Sequence, residues 1–154
     1  MALVVTRIDE RLVHGQVAYS WSVAYQVDEI IVVDNLAASD EMQKMLLSMA
    51  VPAQLSHQIL TEYQAVSVLK QVESSQKRVF LVLRHPNTLL SLLENGVQIK
   101  EVNIGGMYHK PDRRQITKTV YVNDEEEAVI KKIKEFGVDV EVRTAPSDKS
   151  SRPF

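Results

Sequence analysis

The sequence predicts an α/β fold: one open, mainly parallel, twisted sheet of about seven strands with helices on both faces. Three observations carry this expectation. Strand-like and helix-like segments alternate almost from end to end, the signature of repeated β-α-β units joined by right-handed crossovers. Several strand-like segments, such as "EIIVVD" and "RVFLVL", are unbroken apolar runs, which suit strands covered on both faces. With 154 residues, 45% apolar and 25% charged, the chain suffices for one domain with a real core but hardly for two.

The elements follow in order. Strands are expected at residues 2–8, 29–34, 54–59, 78–83, 101–104, 119–122 and 138–142. The last of these, "VDVEV", alternates cleanly and is expected near a sheet edge. After the first strand, "AYSWSVAY" reads as a helix with Trp21 in the core. Beyond Ser39 and the acidic pair Asp40-Glu41, Met42, Met45, Leu46 and Met49 fall at the i, i+3, i+4, i+7 spacing of an amphipathic helix. Thr61 and Gln64 form a capping-box pattern ahead of Ala65, Val68, Leu69 and Val72. Pro86 suits a first helical turn, with Leu89, Leu90 and Leu93 behind it and Gly96 as the stop. Asn123 opens an acidic first turn, followed by the stripe Val129, Ile130, Ile133, Phe136. Lys131, Lys132 and Lys134 then complement the helix C-terminus before Gly137. Residues 1–144 read as a single domain; residues 145–154 form a polar tail with no amphipathic period.

Composition excludes several classes of function. A net charge of −2 gives no bulk attraction to nucleic acid or an anionic membrane. With no cysteine there is no disulfide, thiol nucleophile or thiolate metal site. No apolar run approaches the roughly 18–20 residues that span a bilayer. The N-terminal "MALVVTRIDER" lacks the basic region and cleavage site of a secretory signal. A cytoplasmic protein is expected, reaching the membrane only through partners and not by direct insertion. No G-x-G-x-x-G follows the first strand, no G-x-x-x-x-G-K-[ST] exists, and no H-E-x-x-H supports a metal. Neither a bound nucleotide cofactor nor a metal is expected.

In open α/β sheets, ligands bind beyond the carboxyl ends of the strands, where strand order reverses. "RIDERLVHGQV", residues 7–17, sits at such an end. Gly15 lets the backbone turn into the helix, and free N–H groups of Gly15, Gln16 and Val17 at its N-terminus suit an oxyanion. A neutral imidazole at His14 is a competent nucleophile near neutral pH. Arg11 supplies fixed positive charge, and Asp9 can orient either the ring or Arg11. These are the elements of a phosphohistidine site, although a loop histidine in a structural role fits the same residues.

A second segment, "NIGGMYHKPDRRQITKT" at 103–119, is long, Gly-containing and basic. It reads either as a solvated loop or as a second wall of the same pocket, where Lys110, Arg113, Arg114 and Lys118 meet phosphate or an acidic partner. Asp34 and Asn35 end the second strand and fit either the cleft or ordinary turn chemistry. His57 reads as structural, His85 before Pro86 as a cap or turn, and His109 as a candidate for the pocket wall. Two rival readings remain at this point: a receiver-like signalling domain phosphorylated on Asp34, and a non-catalytic anion-binding α/β module.

"RIDERLVHGQV" resembles the phosphorylation-site segment of the enzyme IIB component of bacterial sugar phosphotransferase systems, mannose–fructose–sorbose type, including N-acetylgalactosamine members. "VNIGGM" with "QITKTV" resembles a second loop of that family, and "GVDVEVRTAPSD" its ending. The resemblance covers essentially the whole chain. It implies a mainly parallel α/β sheet and a protein-phosphohistidine–sugar phosphotransferase. His14 would accept a phosphoryl group from a IIA protein and donate it to a sugar translocated by IIC and IID membrane components. Arg11 would contact the phosphoryl oxygens, Asp9 would hold the site, and Gly105, Gly106 and Met107 would flank it. Family chains often end in a further helical segment, which "KSSRPF" does not suggest.

Overall fold

The computed structural model describes residues 3–154. The elements run β1 (Leu3–Asp9), α1 (Gly15–Ala24), β2 (Glu29–Val33), α2 (Asn35–Ala38), α3 (Glu41–Ala50), β3 (Ser56–Leu60), α4 (Glu62–Val72), β4 (Val79–Leu83), α5 (Pro86–Glu94), β5 (Glu101–Gly106), β6 (Arg114–Gln115), β7 (Tyr121–Val122), α6 (Asp124–Glu135) and β8 (Asp139–Val142). Ala2, expected to begin the first strand, lies outside the described residues. Six strands form one sheet in the order β3-β2-β4-β1-β5-β8, and every pairing in it is parallel. The sixth expected strand, residues 119–122, shortens to β7 and pairs antiparallel with β6 outside the main sheet, which therefore has six strands and not seven. The alternating "VDVEV" becomes β8, at the sheet edge.

Helices cover both faces, and the buried side chains divide accordingly. On one face Ala18 and Trp21 of α1, Ala37 of α2 and Leu47 of α3 meet Val5, Ile30, Val32, Phe80 and Val82. On the other, α4, α5 and α6 bring Ala65, Leu69, Leu89, Leu92, Ile130 and Ile133 against Ile8, Ile31, Leu81, Leu83 and Ile104. The unbroken apolar runs therefore serve two cores at once; β2 and β4 are buried at every position.

Local signals set most helix starts. Thr61 and Gln64 form the capping box of α4, and Asn123 with Glu126 forms that of α6. His85 caps α5 with Pro86 in its first turn. The α3 helix forms where its spacing predicts but starts one residue later: Asp40, expected in the first turn behind Ser39, is itself the N-cap and accepts from the Met42 and Gln43 amides. Its stripe, however, points the wrong way for a core: Met42, Met45, Leu46 and Met49 are 56–76% exposed. The helix rests on Leu47 instead. Periodicity fixes that a helix forms, not which side its neighbours occupy.

β1 lies between β4 and β5, whose following helices cover the opposite face from α1. Strand connections therefore part at the carboxyl end of β1, the place where such sheets bind ligands. The tail returns along β8: Val142 and Ser151 exchange backbone hydrogen bonds, and the Lys134 ammonium donates to the Phe154 carbonyl. It forms no helix.

Candidate functional site

Two buried charges anchor the end of β1. Arg7 and Asp9 are 1% and 0% exposed and face the α1 side of the sheet. Burying charge is costly unless the group is paired and hydrogen-bonded. Arg7 donates through Nη1 to Asn103 Oδ1 and to the Arg143 carbonyl, both at 2.9 Å, and through Nη2 to Asp9 Oδ2 at 3.4 Å. Its guanidinium lies 5.1 Å from the Trp21 ring centroid, and Arg143 lies 4.9 Å from the same ring. Burial pulls the Arg7 guanidinium below its ordinary value, opposed chiefly by Asp9. Gly105 makes room for it, because a Cβ at that position would fall inside the guanidinium.

The loop leaving β1 turns over Asp9. The Arg11 amide donates to Asp9 Oδ1 at 3.0 Å, and Arg11 Nε approaches the same oxygen at 3.5 Å. Leu12 takes a left-handed φ of 58°, a strained conformation for a branched side chain, and its side chain is buried. That turn presents the Leu12 carbonyl to His14, whose Nδ1 donates to it at 3.0 Å. His14 Nε2 faces Asp9 Oδ2 at 4.0 Å, enclosed and without a hydrogen-bond partner among the described residues. The ring thus lies between two acceptors, one carbonyl and one buried carboxylate.

His14 is the N-cap residue of α1, with extended backbone and no side-chain cap. Gly15 follows at φ 41°, a conformation that favours glycine. The amides of Gly15, Gln16 and Val17 form the uncapped first turn of the helix, where free N–H groups and the macrodipole favour an anion. Arg11 is half-exposed and lies over the Tyr108 ring, 5.3 Å from its centroid. Asp9, Arg11, His14 and the start of α1 are therefore brought together.

The segment 107–113 forms a second wall, but not with the charges the sequence offers. Gly106 pairs with Asp9 across the β1–β5 ladder, and the Glu10 amide donates to the Gly106 carbonyl. A Cβ on Gly106 would meet the Tyr108 hydroxyl at 2.5 Å and Asp9 Oδ1 at 3.0 Å. Met107 contributes its backbone, exchanging hydrogen bonds with Thr119 and Tyr121, while its side chain is core. Lys110 is exposed and 3.9 Å from Glu10. Lys118 makes no hydrogen bond or ion pair with the His14 loop among the described residues. Arg113 and Arg114, read from sequence as charges for phosphate or a partner, are consumed internally. Arg113 is buried between Glu10 and Glu126; Arg114 pairs with Asp124 and Glu127.

The carboxylate of Asp34 is also engaged. It is buried, accepts from the Ala37 amide at the start of α2, and receives Arg84 bidentately at 3.1 and 3.0 Å. The carboxylate is thus buried and committed to Arg84 and the start of α2, which weighs against a receiver-type reading. Asn35 ties α2 to the first turn of α4 through Glu62. His57 hydrogen-bonds Ser48 on the surface, and His109 stands edge-on to Tyr121. Three contributors to this edge escaped the sequence reading: Tyr108, Arg84 and the buried Arg7. Tyr108 carried a usable signal, an aromatic two residues beyond the Gly-Gly pair that ends a strand.

Comparison with known proteins gives a consistent result. Residues 3–153 match the family described as "PTS system sorbose subfamily IIB component". The N-acetylgalactosamine-specific phosphotransferase enzyme IIB component 1 of Escherichia coli K12 is 32% identical over 151 residues, covering 97% of this chain and 95% of the relative. The mannose-specific EIIAB component of the same organism is 32% identical over 148 residues, which are 96% of this chain and 46% of that longer protein. Among solved structures, the IIBSor domain of the sorbose permease from Klebsiella pneumoniae superposes with a TM-score of 0.92 at 31% identity, covering 98% and 93% of the two chains.

Proposed function

The chain belongs to the sorbose-subfamily IIB components of the sugar phosphotransferase system, and we propose that it is a phosphohistidine carrier with His14 as the acceptor. A phosphoryl group arrives from a IIA protein and leaves to a hexose or amino sugar presented by IIC and IID membrane components. The observation that carries this reading is the placement of His14. It is the N-cap residue of α1, directly before a first turn that has no side-chain cap, and it stands beside a buried carboxylate that Arg11 also approaches.

The chemistry follows from that placement. A lone pair on one ring nitrogen attacks phosphorus as the bond from phosphorus to the donor nitrogen breaks. The ring's other nitrogen keeps its proton, so the ring needs one acceptor for that proton and one open nitrogen. The structure offers two acceptors, the Leu12 carbonyl and Asp9 Oδ2. As the ring stands, Nδ1 donates to Leu12 and Nε2 is enclosed beside Asp9, so the ring shifts to bring a lone pair to the donor. Arg11 and the amides of Gly15, Gln16 and Val17 then face the equatorial oxygens, where transfer is governed by positioning and charge neutralisation. No helix among the described residues is long and apolar enough to cross a membrane, so sugar and phosphocarrier meet through the membrane partners.

The test supplies phosphoenolpyruvate, the general phosphotransferase proteins and a cognate IIA, and follows intact mass. The chain gains one phosphoryl group that is stable to alkali and lost in acid, and His14→Ala gains none. An equal gain by His14→Ala would sink the assignment.

A further inference from the structure

We propose that Arg113 is a positioning residue for phosphoryl transfer, acting through Glu10 and Tyr108 to set Arg11 against His14. This inference rests on the phosphocarrier reading and extends it to a residue 99 positions from His14 in the chain (113 − 14).

The side chain of Arg113 is 1% exposed, yet every one of its five N–H groups has an acceptor. Nε and Nη2 donate to the two oxygens of Glu126 at 2.9 and 2.6 Å. Nη1 and Nη2 donate to the two oxygens of Glu10 at 3.1 and 2.9 Å. The remaining Nη1 proton goes to the Tyr108 carbonyl at 2.8 Å. Glu126 in turn accepts from His85 Nε2 at 2.8 Å and from the Asn123 amide at 2.9 Å. One guanidinium thus joins the loop after β1, the segment after β5 and the start of α6, with the start of α5 attached through His85. All four lie at the carboxyl edge of the sheet.

The direction of this clamp is what separates it from a plain structural ion pair. Glu10 is the residue between Asp9 and Arg11, and its carboxylate also accepts from the Tyr108 amide at 2.6 Å. Tyr108 is therefore gripped at both its N–H and its carbonyl by the Glu10–Arg113 pair. Its ring lies under the Arg11 guanidinium, and its hydroxyl lies over Gly106, near Asp9. Arg11 itself is half-exposed, and apart from a 3.5 Å approach to Asp9 its head group has, among the described residues, only this aromatic platform. A long, exposed arginine loses considerable rotamer freedom when it is aimed, and the platform removes part of that cost before the phosphoryl group arrives. Neither Glu10 nor Tyr108 needs to touch the phosphoryl group for this to hold.

Lysine at position 113 keeps the charge but cannot fork to two carboxylates and a carbonyl at once. The experiment is a double-mutant cycle on single-turnover transfer from phosphorylated IIA at saturating donor, so that weaker donor docking registers in the half-saturating concentration and not in the plateau rate. Arg113→Lys slows the plateau rate about tenfold in the otherwise unchanged chain. In the Arg11→Ala background it slows the rate less than about twofold, because the group being aimed is gone. Equal slowing in both backgrounds, or none in the first, overturns the inference. Thermal unfolding checks that Arg113→Lys is folded at the assay temperature; if it is not, Tyr108→Leu, which leaves the ion network intact, runs the same cycle with the same expected pattern. Failure of the phosphocarrier reading is distinguishable, since then the unaltered chain takes no phosphoryl group or His14→Ala still does.

Discussion

Two loops flank the carboxyl end of β1, and each offers an arginine in the sequence, yet they use that charge in opposite ways. The loop between β1 and α1 keeps Arg11 half-exposed, strains Leu12, and leaves the first turn of α1 uncapped. The segment 107–113 buries Arg113 between two carboxylates and ties its backbone to both neighbours. The first has the features of a site that must receive something charged. The second has the features of a frame. Positive charge in a sequence is thus informative about a binding site only where the surrounding carboxylates leave most of its donors free.

This contrast can be broken by substitution. Arg113→Met, which strands Glu10 and Glu126 without their shared cation, is expected to lower stability by about 3–5 kcal/mol. Chemical denaturation measures this, and a loss under 1 kcal/mol would dissolve the distinction between frame and site. Arg11→Ala is expected to behave in reverse. Transfer slows roughly 10²–10³-fold while the denaturation midpoint holds. Gly105→Ala pushes a methyl group into the Arg7 guanidinium, and a cost of about 1–3 kcal/mol is expected in the same assay.

A pH titration sharpens the picture of the frame. Burial alone would raise the Glu126 carboxyl, but hydrogen bonds from Arg113, the Asn123 amide and His85 outweigh it and hold the pKa down at about 2, against an ordinary 4.5. The folded-state value is the lower one, so the stabilisation is complete above pH 4.5 and is lost as pH falls from there toward 2. With solvent screening, about 1–2 kcal/mol is expected to vanish over that window. Glu126→Gln should flatten this part of the stability profile; an unchanged slope would place the acid sensitivity elsewhere. The smallest effect belongs to the exposed pair partner: Arg114→Ala should leave the unfolding midpoint unmoved within error, as surface ion pairs do.

Much of the architecture was readable because it is written locally. Capping boxes at Thr61 and Asn123, the Pro86 start and the apolar strand runs all depend on neighbours within a few positions. The placement of His14 just before a helix was readable for the same reason. What escaped depends on partners far along the chain. Arg113 and Glu10 are separated by 103 positions, and Arg84 and Asp34 by 50, so no spacing rule foretells that those charges neutralise each other. The α3 stripe shows the same limit in apolar form: Met42, Met45, Leu46 and Met49 have helical spacing, but only the packing of Leu47 reveals which side faces in.

The most direct test of the central claim is the mass of the intact chain after incubation with phosphoenolpyruvate, the general phosphotransferase proteins and IIA. A gain of one acid-labile phosphoryl group is expected, located on His14 and absent from His14→Ala. A stable mass in the unaltered chain, or a label that persists when His14 is gone, would contradict it.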